Sequence, residues 1–276
     1  MNKIAVIGIV GNSVFLPVKK FHVGGETVEA SDVHFELGGK GFNQAVAAAR
    51  YGAEVSFLAA VGKNDSENVQ SFLAGENITA VLAKKDDKTA FAAIVTDAAG
   101  SNHVTVYQGA QLAVEDVASF EKNIAEADIL LLNNEVTEAI NVAAIQIAKR
   151  YGVKVVLNPA PSRELDEYIV ENVDLFTPNE HEVIGLEGRD NLVVTLGKRG
   201  CYVKSIDEEI PAVKVAKVVD TTGAGDTFNG VLCAMLAQGN ALRESVARAN
   251  LASSIGVTRK YAVSSIPTKL EIEKFI

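Results

Sequence analysis

The chain alternates between short, nearly continuous apolar runs and amphipathic stretches with helical periodicity. Strands rich in Val, Ile and Leu are predicted at residues 4–10, 55–60, 129–133, 154–157, 175–177 and 192–196. Helices are predicted at residues 40–51, 66–74, 138–151, 224–237 and 242–257. Such apolar runs are typical of parallel strands covered on both faces. The alternation therefore predicts an α/β fold with a doubly wound, mostly parallel sheet flanked by helices.

Two stretches depart from this alternation and are predicted as antiparallel strands. Apolar and polar side chains alternate in residues 24–37 and 90–108, and the second stretch reverses at Ala99-Gly100-Ser101. The pattern leaves open whether they form a small sheet over a site or an extension of the sheet edge. We expect lid strands within about residues 14–37 and 90–108 of one domain spanning residues 1–276, because no linker, repeat or low-complexity tract divides the chain.

Composition and charge narrow the class of protein. The 276 residues carry a net charge of −9 without a basic run, which argues against partners such as nucleic acid or an anionic membrane. No apolar stretch approaches the ~18 residues of a membrane span. The apolar N-terminal run is predicted as a strand, since no cleavage pattern follows it. Cys201 and Cys233 fit neither a metal site nor a disulfide framework, so we expect buried free thiols and a cytoplasmic protein.

The first glycine-rich motif, residues 37–44 (LGGKGFNQ), precedes a predicted helix. Consecutive glycines let the backbone approach a ligand closely, and a helix N-terminus offers free amides. Lys40 and Asn43 add donors suited to sugar hydroxyls. Since a glycine turn before a helix is also a common structural feature, the motif alone leaves a purely structural role open.

The second glycine-rich motif, residues 220–230 (DTTGAGDTFNG), leads into another predicted helix. Its small residues Gly223, Ala224 and Gly225 allow backbone N–H groups to converge on an anion. Asp226, beside this predicted anion hole, could accept the proton of an attacking hydroxyl while the amides hold a phosphoryl group. The structural alternative is an acid that favours a helix N-terminus. The motif is not a Walker A loop, and no GxGxxG follows the first strand.

Four further segments occur in order with these motifs: residues 158–161 (NPAP), 177–180 (TPNE), 195–200 (TLGKRG) and 257–260 (VTRK). Together the six resemble the signatures of the ribokinase-like carbohydrate kinase family, and the similarity is greatest to the ribokinases within it. The resemblance covers essentially the whole chain. It implies a doubly wound sheet with a small β-sheet lid, and ATP-dependent phosphorylation of the primary hydroxyl of a sugar, with ribose as the first candidate.

The resemblance also implies roles for individual residues. Asp226 would be the general base, and Gly223, Ala224 and Gly225 would form the anion hole. The residues matching sugar contacts are Gly39, Lys40, Asn43 and Glu135. Those matching the nucleotide site are Asn179, Thr195, Gly197, Gly200 and Asn250. Without the resemblance, the sequence would predict that Asn179 belongs to a turn or caps a helix after Pro178. Asn250 could then be a surface residue.

Two kinds of metal ion are implied in the same way. Glu182, together with Asn179, matches the element that organises Mg²⁺ through water. The residues matching a monovalent cation site for K⁺, several of them through backbone carbonyls, are Asp220, Thr222, Val257, Lys260 and Ser264.

The sequence departs from the family pattern at three places. Ser13 stands where ribokinases typically carry an aspartate that grips adjacent ribose hydroxyls, and a serine lacks the charge that strengthens such a contact. This change allows weaker ribose binding, a deoxy sugar or another substrate. Phe42 replaces a small residue and is expected to add bulk near the pocket. Residues 180–191 barely reach the about 10–12 residues that a parallel crossover needs, and the family helix expected there is largely missing, so we expect part of the sheet or nucleotide side to be more open.

Other functions remain open at this point. One is a kinase for another acceptor, such as deoxyribose, fructose, pseudouridine or adenosine, which Ser13 and Phe42 favour. Another is a non-catalytic sugar-binding regulator, which predicts eroded catalytic residues, whereas Asp226 and the glycine turn are intact. The resemblance further implies a homodimer that pairs through the lid strands, since an open strand edge would otherwise promote aggregation.

Overall fold

The computed structural model describes residues 2–98 and 101–276. Its strands are β1 (Lys3–Ile7), β2 (Gly11–Pro17), β3 (His34–Gly38), β4 (Glu54–Gly62), β5 (Ile78–Lys85), β6 (Ala90–Thr96), β7 (Asn102–Tyr107), β8 (Ile129–Asn133), β9 (Lys154–Asn158), β10 (Leu175–Phe176), β11 (Val193–Thr195), β12 (Cys201–Val203) and β13 (Glu208–Ile210). Its helices are α1 (Lys40–Arg50), α2 (Ser66–Gly75), α3 (Val114–Ser119), α4 (Glu121–Ala125), α5 (Glu138–Tyr151), α6 (Glu167–Asn172), α7 (Ala224–Ala237), α8 (Leu242–Gly256) and α9 (Lys269–Glu273).

The main sheet has six parallel strands in the order β10-β9-β8-β1-β4-β5. Alternate residues of the central strand β1 enter two different cores, because successive side chains of a strand point to opposite faces. Ile4 and Val6 pack with α1, α7 and α8 on one face, whereas Ala5 and Ile7 pack with α3 to α6 on the other. The predicted α/β architecture, with helices on both faces of a parallel sheet, is confirmed.

A second sheet has four strands in the order β3-β2-β6-β7, and these four strands are called the lid below. The strands β2 and β6 run parallel, whereas the β2–β3 and β6–β7 pairs are antiparallel. The prediction for residues 24–37 was too long, since only His34–Gly38 is a strand there and an isolated bridge joins Val18 to Ala30. Its partner β2 begins at Gly11, before the predicted limit of residue 14. The predicted turn at Ala99-Gly100-Ser101 includes two residues outside the described ranges.

A third, antiparallel sheet has the order β11-β12-β13. The strand predicted at residues 192–196 pairs antiparallel with β12, and its first residue, Leu192, also forms an isolated parallel bridge with Phe176 of β10 in the main sheet. A second isolated parallel bridge joins Asn179, just after β10, to Thr195. Residues 177–192 contain turns and no helix, as their short length predicts.

Backbone conformation defines where the helices at the site begin and where a long peripheral helix ends. Gly39 precedes α1 with a φ of 116°, and Gly223 precedes α7 with a φ of 74°, in the range that favours glycine. The helix α5 ends at Gly152 in the left-handed conformation. In the described part of the chain, no helix is both long and apolar enough to cross a membrane.

Candidate functional site

A cavity of about 450 Å³ lies between the lid and the carboxyl ends of the main strands. It is lined by all six residues predicted to contact the substrate: Ser13, Gly39, Lys40, Asn43, Glu135 and Asp226. Glu135 follows β8, and Pro161, another lining residue, follows β9. Ligands of open α/β sheets bind outside the carboxyl ends of the strands, so the cavity occupies the expected edge of the fold.

The carboxylate of Asp226 lies at the floor of this cavity, in the first turn of α7, and the residue is 6% exposed. Its Oδ2 accepts a hydrogen bond from Asn43 Nδ2 at 3.0 Å, and its Oδ1 accepts one from Gln44 Nε2 at 3.2 Å. Both donors are neutral amides, and a carboxylate has further lone pairs for a hydroxyl proton. These two hydrogen bonds therefore orient Asp226 without pairing it with a charged donor.

Gln44 was not among the predicted site residues. It begins a buried chain of hydrogen bonds that runs from α1 to the turn before Asp226. Gln44 Nε2 donates to Asn158 Oδ1 at 3.2 Å, and Asn158 Nδ2 donates to the Thr177 carbonyl at 2.9 Å. The Thr177 hydroxyl donates to Asn229 Oδ1, and Asn229 Nδ2 donates to the Gly225 carbonyl at 2.8 Å. Each of these residues lies in one of the sequence motifs described above, so membership of a motif was the sequence signal that could have identified them.

The predicted anion hole is the turn at the start of α7. The first amides of a helix have no partner within the helix and can face an anion. The Ala224 N–H, however, donates to the Thr221 carbonyl at 3.2 Å, so this group is already engaged. Gly225 is exposed. The Thr227 N–H donates to the Gly223 carbonyl at 2.8 Å, so the amides of Gly225 and Asp226 are the donors best placed to bind an anion.

Lys40 and Glu135 meet on one side of the cavity, where the Lys40 backbone N–H donates to Glu135 Oε2 at 2.7 Å. Burial, reinforced by the negative charge of Asp226, raises the pKa of Glu135 to about 7. The negative charges of Asp226, and then of Glu135 and Glu182, raise the pKa of the Lys40 side chain although burial opposes this. The cavity therefore combines two carboxyl groups, Glu135 and Asp226, with a charged lysine.

A second cavity, of about 500 Å³, is lined by four of the residues predicted for the nucleotide: Thr195, Gly197, Gly200 and Asn250. Its other walls include the apolar residues Val213, Val215, Val218 and Phe228. Cavities with apolar walls and a few polar groups are typical of small-molecule sites. Ala224 and Gly225 also line it, whereas Asp226 lines the first cavity. The two cavities thus meet at the first turn of α7.

Asn250 is 5% exposed, so the alternative of a surface residue is wrong. Its Nδ2 donates to the Ile210 carbonyl at 3.0 Å, and its Oδ1 accepts from Cys201 Sγ at 3.0 Å. Burial raises the pKa of Cys201 to about 12. Both Cys201 and Cys233 are buried free thiols, as predicted. Asn250 therefore joins α8 to the third sheet beside the second cavity.

Asn179 and Glu182 line neither of these two cavities. Asn179 Oδ1 accepts hydrogen bonds from the backbone N–H groups of His181 and Glu182, at 2.8 and 3.0 Å. In return, the Asn179 N–H donates to Glu182 Oε2 at 3.0 Å. This reciprocal pattern resembles a helix cap, although turns follow it instead of a helix.

The residues considered for a monovalent cation are only partly brought together. Asp220 accepts hydrogen bonds from Thr222 N at 2.9 Å and from Tyr261 N at 3.0 Å. The Val257 carbonyl accepts the N–H groups of Val219 and Asp220, at 2.7 and 3.3 Å. The Ser264 hydroxyl donates to Glu36, and Lys260 is exposed. Within the described residues, no cluster of three or more His, Cys, Asp or Glu side chains could hold a metal ion.

Phe42 does not add bulk to the substrate cavity, so that expectation was wrong. It is fully buried and its ring packs against Phe57 and Phe72, with ring centroids 6.2 and 5.4 Å away. Phe42, the third residue of α1, faces the helix-covered core, whereas Asn43 faces the cavity. Helical rotation of about 100° per residue separates these two directions.

Three relatives are similar to the chain over most of its length. It is 33% identical to a ribokinase of Haemophilus influenzae, covering 99% of this chain and 98% of the relative. It is also 33% identical to a deoxyribokinase of Salmonella typhi, covering 91% of this chain and 90% of the relative. It is 36% identical to a bifunctional ribokinase/ribose-5-phosphate isomerase A of Fructilactobacillus sanfranciscensis, over 98% of this chain. There it spans only 55% of the relative's length.

A solved structure and a family model agree with these relatives. The crystal structure of a ribokinase from Thermotoga maritima superposes with a TM-score of 0.89 and is 31% identical, covering 100% of this chain and 99% of that one. The model of the pfkB family carbohydrate kinases matches residues 1–269. The chain therefore belongs to the pfkB family of carbohydrate kinases and is an ATP-dependent sugar kinase.

Proposed function

We propose that this kinase transfers the γ-phosphoryl group of ATP to the primary hydroxyl of a pentose, with ribose as the first acceptor. One observation carries the proposal. Ala224 and Gly225 line the second cavity, whereas Asp226, in the same helical turn, lines the cavity under the lid. A phosphoryl donor in one cavity and a hydroxyl in the other would meet at that turn, with the carboxylate on the hydroxyl side.

In this reaction, Asp226 accepts the proton of the primary hydroxyl as its oxygen attacks the γ-phosphorus. A new O–P bond forms in line with the bond that breaks, and ADP leaves. The amides of the α7 turn stabilise the charge that develops on the transferring group. The sugar is held by the cavity residues Ser13, Gly39, Lys40, Asn43 and Glu135, while the residues Thr195, Gly197, Gly200 and Asn250 contact the nucleotide.

The proposal includes Mg²⁺ beside the nucleotide phosphates. Mg²⁺ usually keeps several waters and binds through one or two carboxylates together with substrate phosphates. The partly buried Glu182 carboxylate, oriented by the Asn179 turn, provides an oxygen donor of this kind. Its negative charge also contributes to the raised pKa of Lys40 in the substrate cavity. Bound Mg²⁺ would neutralise phosphate charge.

For K⁺ the fit is incomplete. A potassium ion requires several free oxygen ligands, whereas the Val257 carbonyl and the Ser264 hydroxyl are already hydrogen-bonded within the protein. The Asp220 carboxylate likewise accepts several protein donors. We therefore assign no step to potassium, and its addition to the assay tests the point.

A second acceptor, 2-deoxyribose, is favoured by Ser13. The ribokinase and deoxyribokinase relatives named above are each 33% identical to the chain, over 99% and 91% of its length, so percentage identity to these two does not choose between the two sugars. Ser13 is 9% exposed and lines the cavity without a negative charge. A neutral hydroxyl makes weaker hydrogen bonds to a pair of sugar hydroxyls than a carboxylate does.

The proposal also covers organisation and location. We infer one kinase domain over residues 1–276, in the cytoplasm, where buried free thiols persist. We infer a homodimer through the lid, because all six residues of the edge strand β7 are exposed. Its side chains Val104, Val106 and Tyr107 are 48–55% exposed, an apolar edge that a second copy would cover. Sedimentation velocity measures this association.

The experiment that tests the activity is ATP turnover with ribose, 2-deoxyribose, fructose, adenosine and pseudouridine, with and without potassium. We expect phosphorylated product from at least one pentose. Asp226→Asn should lower kcat at least about 100-fold, the usual contribution of a general base. Equal inertness of wild type and variant across the panel would instead support a sugar-binding regulator.

A further inference from the structure

Glu36 lies on the lid strand β3, but its side chain hydrogen-bonds to residues 262–264, outside the lid sheet. It pairs with Ser13 across the lid sheet, yet its side chain is only 7% exposed. It lines neither the sugar cavity nor the nucleotide cavity. A buried carboxylate that touches no substrate must have its charge compensated by other partners, which here come from the C-terminal part of the chain.

The partners of Glu36 are three consecutive backbone amides and one hydroxyl. Its Oε1 accepts hydrogen bonds from Ala262 N at 2.8 Å and Val263 N at 3.2 Å. Its Oε2 accepts from Ser264 N at 3.2 Å and from Ser264 Oγ at 2.8 Å. Successive amides of a turn form a concave site for an anion, and hydrogen bonds to a charged acceptor are stronger than neutral ones. The carboxylate therefore anchors the lid to the turn at residues 262–264.

This turn lies against the start of the predicted anion hole. A Cβ on Gly223 would stand 3.3 Å from Ala262 Cα, so the two backbones are in close contact. The preceding residue, Tyr261, donates its N–H to Asp220 Oδ2, and Asp220 Oδ1 accepts the N–H of Thr222. The turn thus contacts Gly223 directly and is hydrogen-bonded to the residues before it.

The strand that carries Glu36 also leads directly to the residues that line the sugar cavity. The strand β3 ends at Gly38, directly before Gly39 and the first turn of α1. His34, earlier on the same strand, has Nε2 3.5 Å from Glu36 Oε2, and its ring stacks on Tyr261 at 3.7 Å between centroids. The lid strand therefore contacts the 261–264 segment through side chains two residues apart, which face the same side of the strand.

We propose that Glu36 is a positioning residue that couples the lid to the anion hole, so that a sugar held under the lid and the Gly223–Gly225 turn are aligned with each other. The proposal rests on the proposed kinase function for its kinetic consequence, and on the structure alone for its effect on backbone order. Without the carboxylate, the amides of residues 262–264 lose their common acceptor, and Gly223 loses a rigid neighbour.

The kinetic test compares Glu36→Ala and Glu36→Gln with the wild type, using an acceptor that the panel identifies. We expect Glu36→Ala to lower kcat at least about tenfold, with the KM for sugar and ATP within about threefold, since Glu36 contacts neither ligand. Glu36→Gln should recover part of kcat, because its amide oxygen still accepts backbone hydrogen bonds.

The matched control is Asp116→Ala. Asp116 is also a largely buried carboxylate that accepts a backbone N–H, from Ala113 at 2.7 Å, and it pairs with Lys85 at 2.6 Å. It lines neither cavity. Asp116→Ala should lower the Tm while kcat stays within about twofold, so a fall in kcat specific to Glu36→Ala is not explained by loss of stability.

Amide hydrogen exchange of the unliganded protein tests the coupling without any assay of activity. In Glu36→Ala, the segment at residues 220–226 should exchange at least about fivefold faster than in the wild type, whereas Asp116→Ala should leave it unchanged. Unchanged exchange in Glu36→Ala, or a kcat within twofold of wild type, would overturn the proposal. If the panel yields no acceptor, the kinase function fails and the exchange result alone decides the coupling.

Discussion

Asn43 Nδ2 donates a hydrogen bond to Asp226 Oδ2 at 3.0 Å, although the two residues are 183 positions apart in the chain. The contact requires α1 and α7 to lie unusually close. Gly230 allows this, because a Cβ at that position would stand 2.4 Å from the Gln44 carbonyl oxygen. The close helix pair therefore places two side-chain amides of α1 on one carboxylate of α7.

Replacing Gln44 should damage catalysis more than sugar binding. Gln44→Leu removes the donor to Asp226 Oδ1 and to Asn158 Oδ1 while keeping a similar volume. A hydrogen bond to a charged group contributes about 1.5–3 kcal/mol, so we expect kcat to fall about 10- to 100-fold. Steady-state kinetics with the acceptor found in the panel measures this. Gln70→Leu, at an exposed position of α2, is the control, and equal losses in both variants would contradict the role of Gln44.

The residue at position 13 should set the preference between ribose and 2-deoxyribose. Ser13→Asp places a carboxylate at the cavity wall, where it can accept hydrogen bonds from two neighbouring hydroxyls. We expect the ratio of kcat/KM for ribose to that for 2-deoxyribose to rise at least about tenfold. Ser13→Asn has the same shape without the charge and should give a smaller change. An unchanged ratio in Ser13→Asp would show that position 13 does not contact the sugar diol.

Gly39 should tolerate no side chain. Its φ is 116°, and a Cβ there would stand 2.3 Å from the Ile9 carbonyl oxygen. Gly39→Ala should therefore lower the free energy of unfolding by at least about 2 kcal/mol. Gly75→Ala, where a Cβ meets no atom within 4 Å, is the control and should change stability little. Urea denaturation of both variants checks the difference, and equal stabilities would refute the strain at Gly39.

Glu135 should make the unliganded protein less stable as the pH rises. The pKa of Glu135 is about 7 in the folded protein and 4.5 for an ordinary glutamate. Because the folded pKa is the higher one, the neutral form favours folding. Its contribution is full below pH 4.5 and is lost as the pH rises through 7. Between pH 4.5 and 7 the wild type loses this contribution, whereas Glu135→Gln has no such group to titrate. The free energy of unfolding of Glu135→Gln minus that of the wild type should therefore rise across this window, by about 3 kcal/mol at most.

Urea denaturation between pH 4.5 and 8 measures this difference. Glu115→Gln, at an exposed position of α3, is the matched control for replacing a carboxyl by an amide. A stability difference between Glu135→Gln and wild type that does not vary with pH would contradict the assigned protonation. Titration of other groups cancels in the comparison of variant with wild type, provided that they do not contact Glu135.

Elements with strong periodicity were predicted to within a residue or two. The strand Ile129–Asn133 and the helices Glu138–Tyr151 and Ala224–Ala237 have the bounds that their apolar patterns predict. The strand β2 was predicted only in part, within the lid range that begins at about residue 14, because its sequence GNSVFLP begins with Gly-Asn and ends with proline, which are turn signals. Short helices such as α6 were missed since six residues are too few to display a helical period.

The sequence by itself determined the class of the fold and the chemistry of the site. Alternating strands and helices specify a parallel sheet covered on both faces, and the motifs around Lys40 and Asp226 contain the groups that the reaction needs. These features are local, because each depends on neighbours along the chain. They therefore can be read without knowing which segments pack together.

Only the tertiary structure decided which side chains meet. Phe42 enters the core while its neighbours Asn43 and Gln44 reach Asp226, because the packing of α1 on α7 selects the direction of each position. Glu36 meets residues 262–264 across 226 positions of sequence. No periodicity connects such distant segments, since their contact follows from the joint packing of lid, sheet and helices and not from local propensity.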